Sequence, residues 1–228
     1  MDVLEHPRPW VPRAGDRWIV SAGRTHDCAW RRVSRYAPVV SHVLEPASSG
    51  RAKCRGCGQP ITRGELRFGE RLPNPFADGE MTLWFHPCCA AFKRPEPLLE
   101  VFGQTAEIVP DREALEGAAR TSLAHRRLPR IDGGERSPSG QAKCRSCKAP
   151  IAKGVWRIRL TYFEEGRFTA GGFVHLDCSR AYFEHAELLE RVLCFSPDLG
   201  AEERTELERA YRTAPATPPA PPPSELGA

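Results

Sequence analysis

The sequence predicts an α+β chain of two small metal-dependent modules, each a short antiparallel sheet with helices behind it. Three observations carry that expectation: a four-residue ligand pattern that occurs twice, alternating apolar and basic stretches inside each copy, and helical stretches that follow each copy. An irregular amino-terminal segment and a disordered Pro-rich tail frame the two modules. The expected boundaries are residues 1–45 for the amino-terminal segment, 46–127 for module one, 128–138 for a linker, 139–213 for module two and 214–228 for the tail.

The ligand pattern comes first because it dictates the rest. Cys54-x2-Cys57 is followed after 28 residues by His86-x2-Cys89, and Cys144-x2-Cys147 is followed after 27 residues by His175-x2-Cys178. Each copy offers three thiolates and one imidazole, a closed ligand set for structural zinc that leaves no open position for a substrate. Two Zn2+ ions per chain are therefore expected. Cys88 and Cys89 are adjacent, and either could follow His86 into the metal shell. Superimposing the copies sets Cys88 against Asp177 and Cys89 against Cys178, so Cys89 is the expected ligand. A third site from His26, Cys28 and His42 lacks a nameable fourth ligand.

The remaining cysteines, Cys28, Cys88 and Cys194, are scattered and odd in number, which is not a disulfide framework and agrees with a reducing compartment. The amino terminus lacks an apolar run of signal-peptide length, and no stretch reaches the ~18 apolar residues of a membrane span. The expectation is a soluble intracellular protein: cytoplasmic at the nucleoid in a bacterium, nuclear in a eukaryote, with no membrane partner. With 228 residues, each module is too small to hold together by core burial alone and depends on its metal.

Element by element, Pro7, Pro9, Pro12 and Pro38 forbid a long helix in the first segment. Leu66-Arg67-Phe68 and Val155 to Phe163 alternate apolar and basic residues, as strands with one wet face do. The arginines are the expected outward set, while Trp84, Phe85, Trp156 and Phe173 pack beside the metal. After Cys89 and Cys178 helical stretches begin. A second helix is expected in each module, over Asp111–Arg120 and Ala201–Arg212, acidic early and basic late as the helix dipole favours. Pro129, Gly133, Gly134 and Pro138 read as a linker. From Ala214 the Pro/Ala-rich chain reads as a mobile tail.

Net charge is only +4, so its distribution matters more than its size. Between Arg51 and Glu80 six basic residues face four acidic ones, and between Lys143 and Asp177 seven face three, while the helical stretches hold much of the acid. A basic face can coexist with a modest global charge.

The lead-in Ser49-Gly50-Arg51-Ala52-Lys53-Cys54, the Gly64-Glu65-Leu66-Arg67 strand, the Phe76-Ala77-Asp78-Gly79 loop and Leu83-Trp84-Phe85-His86-x2-Cys89 resemble the poly(ADP-ribose) polymerase-type zinc finger. The resemblance covers about 50–121 and 139–213, without a polymerase catalytic domain. It implies a small antiparallel sheet and helices around zinc, and a sequence-independent sensor of DNA nicks, gaps and ends. It also implies a loop whose apolar side chains stack on bases exposed at a break, which here holds Phe76 and Met81, and in the second copy Phe163 and Phe168. The lead-in arginine that contacts the DNA backbone falls on Arg51, and the second copy departs with Gln141.

The residues support the same expectation on chemical grounds. An exposed aromatic can cover an unstacked base for ~1–3 kcal/mol without reading sequence, and cations beside it meet phosphates. The expected DNA contacts are Arg51, Lys53, Arg67, Arg71, Phe76 and Met81 in module one, and Lys143, Arg157, Arg159, Phe163 and Phe168 in module two. No enzyme is expected, because both metal sets are closed and no hydrolase, nucleotide-binding or transferase motif occurs. The alternative is a zinc-stabilised adaptor that binds a partner protein in a repair or chromosome complex. The sequence does not state an oligomeric state.

Overall fold

The computed structural model describes residues 42–75 and 77–215, all within one compact unit. Two three-stranded antiparallel sheets form, each in sequential strand order. The first holds β1 (Val43–Pro46), β2 (Leu66–Pro73) and β3 (Glu80–Phe85), followed by α1 (Pro87–Lys93), α2 (Pro95–Gln104) and α3 (Arg112–Ala124). The second holds β4 (Ile131–Arg136), β5 (Trp156–Glu164) and β6 (Arg167–His175), followed by α4 (Leu176–Phe183), α5 (Leu189–Cys194) and α6 (Ala201–Thr213). Among the described residues, no helix is long and apolar enough to cross a membrane.

The expected second helices are α3 and α6, each a little longer than the sequence suggested. Pro87 and Pro95 open α1 and α2, where a missing N–H costs nothing and the fixed φ suits the first turn. At the start of α6 the Glu203 carboxylate accepts the Gly200 N–H at 3.1 Å, which satisfies one of the helix's orphan donors.

The linker expected at 128–138 is instead structural. Leu128–Arg130 forms a 3-10 turn, and Ile131–Arg136 is the edge strand of the second sheet. Gly133 and Gly134 are there for close approach and not for flexibility. A Cβ on Gly133, whose φ is 104°, would overlap the Phe195 carbonyl, and one on Gly134 would press on Leu207 and Val192. The Ser196 hydroxyl accepts the Gly134 N–H at 2.7 Å. Module one likewise begins before residue 46, since β1 starts at Val43; residues 1–41 and the tail from 216 lie outside the described residues.

The modules share one continuous apolar core. Phe68, Phe85, Leu98 and Phe102 of the first and Ile131, Ile158, Phe183 and Leu207 of the second are fully buried, each worth ~1.5–3 kcal/mol. At the seam, Phe92 meets Phe195 edge-on at 6.1 Å and Phe85 meets Phe168 at 6.3 Å. Lys93 reaches Asp132 at 2.8 Å with its side chain 1% exposed. Arg191 donates to the Ser122 hydroxyl at 2.8 Å and the Ala118 carbonyl at 3.0 Å while lying over the Phe92 ring. Buried charges persist where hydrogen bonds and ring faces replace water.

Candidate metal centres and the surfaces around them

In both modules the strand that ends at the ligand histidine runs straight into a helix, and that helix returns the third cysteine one turn later. His86 and His175 stand at these junctions with extended backbone. The Cys-x2-Cys turns arrive from the other side, tied to the sheet by the Arg55 N–H on the Trp84 carbonyl and the Arg145 N–H on the Phe173 carbonyl, both 2.8 Å.

The two sites are nearly superimposable. Within Cys54, Cys57, His86 and Cys89, and within Cys144, Cys147, His175 and Cys178, all ligand atoms lie within 4.8 Å of one another. One ion with bonds of about 2.0–2.3 Å spans that separation. The histidine Nδ1 lies 3.4 Å from Cys57 and 3.9 Å from Cys89 in the first site, and 3.4 Å from Cys147 and 3.9 Å from Cys178 in the second. The backbone N–H of each histidine donates to the first cysteine sulfur at 3.4 Å. These donor sets fit zinc, and the chain carries two zinc sites.

The outer nitrogens differ. His175 Nε2 reaches the Pro150 carbonyl at 3.2 Å, while His86 Nε2 faces the Glu65 carboxylate at 3.6 Å. Such outer partners orient a ligating ring with Nδ1 toward the metal. In the first site, hydrogen bonding to Cys54 and Cys57 lifts His86 to about 11, and hydrogen bonds from Cys57 and Cys89 hold Cys54 far below the usual thiol range. The sulfurs demand a positive charge among them, which zinc supplies while releasing the protons.

The arginines expected to face outward do not. Arg67 and Arg157 are 7% and 4% exposed. Arg67 pairs with Glu45 at 2.6 Å and lies 3.6 Å from the Trp84 ring centre; Arg157 donates to Glu135 at 2.9 Å and lies 3.5 Å from the Phe173 ring centre. Strand alternation assigns a side of the sheet, but both arginines sit on central strands whose outer face is roofed by an edge-strand glutamate and an aromatic ring. Gly69 leaves room for that roof, since a Cβ there would stand 2.6 Å from Trp84. The signal was available in the repeat: Glu45, Arg67 and Trp84 correspond to Glu135, Arg157 and Phe173. Arg159 is also engaged, donating to the Asp132 and Phe195 carbonyls and to Glu135.

The apolar loop residues are packed at the seam. Phe163 and Phe168 meet as a tilted pair with ring centres 4.9 Å apart, Arg94 lies 3.8 Å above Phe163, and Met81 presses on Gly166 at the tip of the β5–β6 hairpin. Arg94 is itself held by Glu70, which is 1% exposed. Phe76 lies outside the described residues. Arg51, Lys53 and Lys143 are exposed, as are Arg55, Arg145 and Lys148 on the metal turns, while Arg71 is half-buried. Arg55, Met81, Leu83, Gly166, Arg167 and Phe168 line a groove of about 420 Å³ between the hairpins. Cys88 is exposed and outside the first ligand set, but it and Cys194 are not scattered: both lie beside Cys89.

Fold and ligand geometry together define a tandem Cys3His zinc-finger chain with helical appendages. Residues 45–122 match the poly(ADP-ribose) polymerase and DNA-ligase Zn-finger region. The match spans the first module, and the second repeats the ligand geometry of the first. The chain is 27% identical over 157 residues to a poly(ADP-ribose) polymerase of Sarcophaga peregrina, an alignment covering 59% of this chain and 16% of that protein. It is 28% identical over 158 residues to a poly(ADP-ribose) polymerase of Drosophila melanogaster, covering 61% and 16%. It is 27% identical over 146 residues to poly(ADP-ribose) polymerase 1 of Oryza sativa subsp. japonica, covering 61% and 15%. The chain spans about a sixth of the length of these relatives.

Proposed function

We propose that this chain is a non-enzymatic, zinc-dependent DNA-binding protein that recognises nicks, gaps and ends without reading sequence. The observation that carries this reading is the match of residues 45–122 to the zinc-finger region shared by poly(ADP-ribose) polymerases and DNA ligase. Exposed cations before and on the metal turns support it: Arg51, Lys53 and Arg55 in one module, Lys143 in the other, with Arg145 and Lys148 exposed beside it while also donating to the Gly171 and Arg145 carbonyls. They meet phosphates, which position a protein on DNA without specifying sequence. Arg67, Arg157 and Arg159 hold the sheets and drop out of the contact set. Phe163, already stacked under Arg94, drops out with them. The groove of Met81, Leu83 and Phe168, flanked by Arg55 and Arg167, takes over as the apolar surface that meets an unstacked base.

The test is binding of the zinc-loaded chain to duplexes with randomised sequence around a nick, a gap or a blunt end, at two salt concentrations. Counterion release predicts affinity that falls steeply with salt, and randomising the sequence leaves it unchanged. Salt-independent binding, or affinity that follows sequence more than structure, overturns the reading. Capture of a repair protein without DNA binding would assign the basic face to a protein partner instead.

A further inference from the structure

The structure gathers three cysteine sulfurs where the sequence showed two stray thiols and a ligand. Cys88 and Cys89 lie in the first turn of α1, Cys194 ends α5 in the other module, and the three sulfurs lie within 4.8 Å of one another. Cys89 and Cys194 are 3.8 Å apart across 105 residues of sequence. That separation is within reach of an S–H···S hydrogen bond between the two modules. The three-sulfur cluster forms around the first zinc site and has no counterpart at the second, where Asp177 stands at the position of Cys88.

We propose that Cys88 and Cys194 are a modification site: a thiol pair that a hydroperoxide converts to a disulfide, tying α1 of the first module to α5 of the second. Cys88 is exposed and meets the oxidant first, whereas Cys89 is 1% exposed and engaged by metal. The Cys88 thiolate attacks one oxygen of hydrogen peroxide. An S–O bond forms, the O–O bond breaks and the departing hydroxide leaves as water. The Cys194 sulfur then attacks the Cys88 sulfur; the S–S bond forms, the S–O bond breaks, and the thiol proton leaves with the oxygen as a second water. In total, two thiols and one peroxide give one disulfide and two waters.

The competing partner for Cys88 is its neighbour. A Cys88–Cys89 bridge would pull a ligand from zinc and force adjacent helical residues out of helical geometry, because their side chains diverge around the helix. Cys194 requires neither change. A Cys88–Cys194 bridge leaves all four ligands of the first site, Cys54, Cys57, His86 and Cys89, in place.

The experiment treats the zinc-loaded full chain with hydrogen peroxide, blocks free thiols, maps linked peptides by mass and follows zinc release with a chelating dye. The expected result is a Cys88–Cys194 linked peptide lacking two hydrogens, full zinc retention, and reversal by a dithiol reductant. Cys194→Ser should abolish the link and let Cys88 proceed to the sulfinic acid. Cys88→Ala, at an exposed position, should abolish it without disturbing the fold and leave Cys194 reduced. A Cys88–Cys89 link, zinc release before any crosslink, or sulfinic acid at Cys88 in the unsubstituted chain would overturn the proposal.

Discussion

The two modules repeat one another where metal and sheet demand it, and part company where they meet. Ligand distances agree to a tenth of an ångström, and each sheet carries the same sandwich of glutamate, arginine and aromatic ring. Yet zinc site one is at the seam, with Cys194 beside Cys89 and the Phe195 ring against Gly56. Zinc site two lies at the far edge, where His175, Leu176 and Asp177 line a hollow with Ala210, Thr213 and Ala214 of their own module. A duplicated finger thus supplies one structural hub and one peripheral site, although each motif in isolation looks the same.

That asymmetry is broken most forcefully at the metals. Structural zinc contributes on the order of 10 kcal/mol or more to folding, so Cys54→Ser and Cys144→Ser each unfold the module they belong to. Cys54→Ser should also raise hydrogen exchange in β4 and α5, which lean on module one, whereas Cys144→Ser should leave α1 to α3 better protected. Equal spreading from both substitutions would remove the hub from the account.

Next come the glycines and the buried lysine. Gly133→Ala meets the Phe195 carbonyl and should lower stability by about 3 kcal/mol or more in denaturant titration. Gly79→Ala has a similar φ, 105°, but open space around it, and should cost about 1–2 kcal/mol. Lys93→Ala strips Asp132 of its partner; because Asp132 is 37% exposed, the expected loss is ~1–3 kcal/mol, less than for a fully buried pair.

Arg67 and Arg51 separate scaffold from contact. Arg67→Ala should lower the melting temperature, while Arg51→Ala leaves it alone and reduces the salt slope of DNA binding by about one. The smallest effect is electrostatic. His125 and His185 face each other across the seam at 4.8 Å, and burial, aided by His125, holds His185 below the usual histidine range. The unfolded chain takes up that proton more readily, so the seam is at full strength above about pH 6.5 and weakens as pH falls through the folded value. A His185→Gln variant should show a flatter stability profile over that window.

What the sequence disclosed follows from the range of each interaction. The eight ligands were legible because a metal shell imposes residue type and local spacing together. The second helices were legible because caps and charge order are local. Arg67 was misread because alternation names a face without saying what covers it, and its cover, Glu45 and Trp84, comes from other strands. Gly133 and Gly134 were misread because a glycine that admits a neighbour and one that loosens a chain look alike until the neighbour, Phe195, is placed. Cys194 was invisible for the same reason: its partners are more than a hundred residues away.

The central claim, that this chain senses broken DNA, is tested most directly by one substrate pair: a duplex with a single nick, and the same duplex after the nick is sealed, titrated with zinc-loaded protein at one salt concentration. The account predicts tighter binding to the nicked duplex by the ~1–3 kcal/mol of one covered base face. Equal affinity for the two would contradict it, leaving a zinc-stabilised phosphate binder indifferent to breaks.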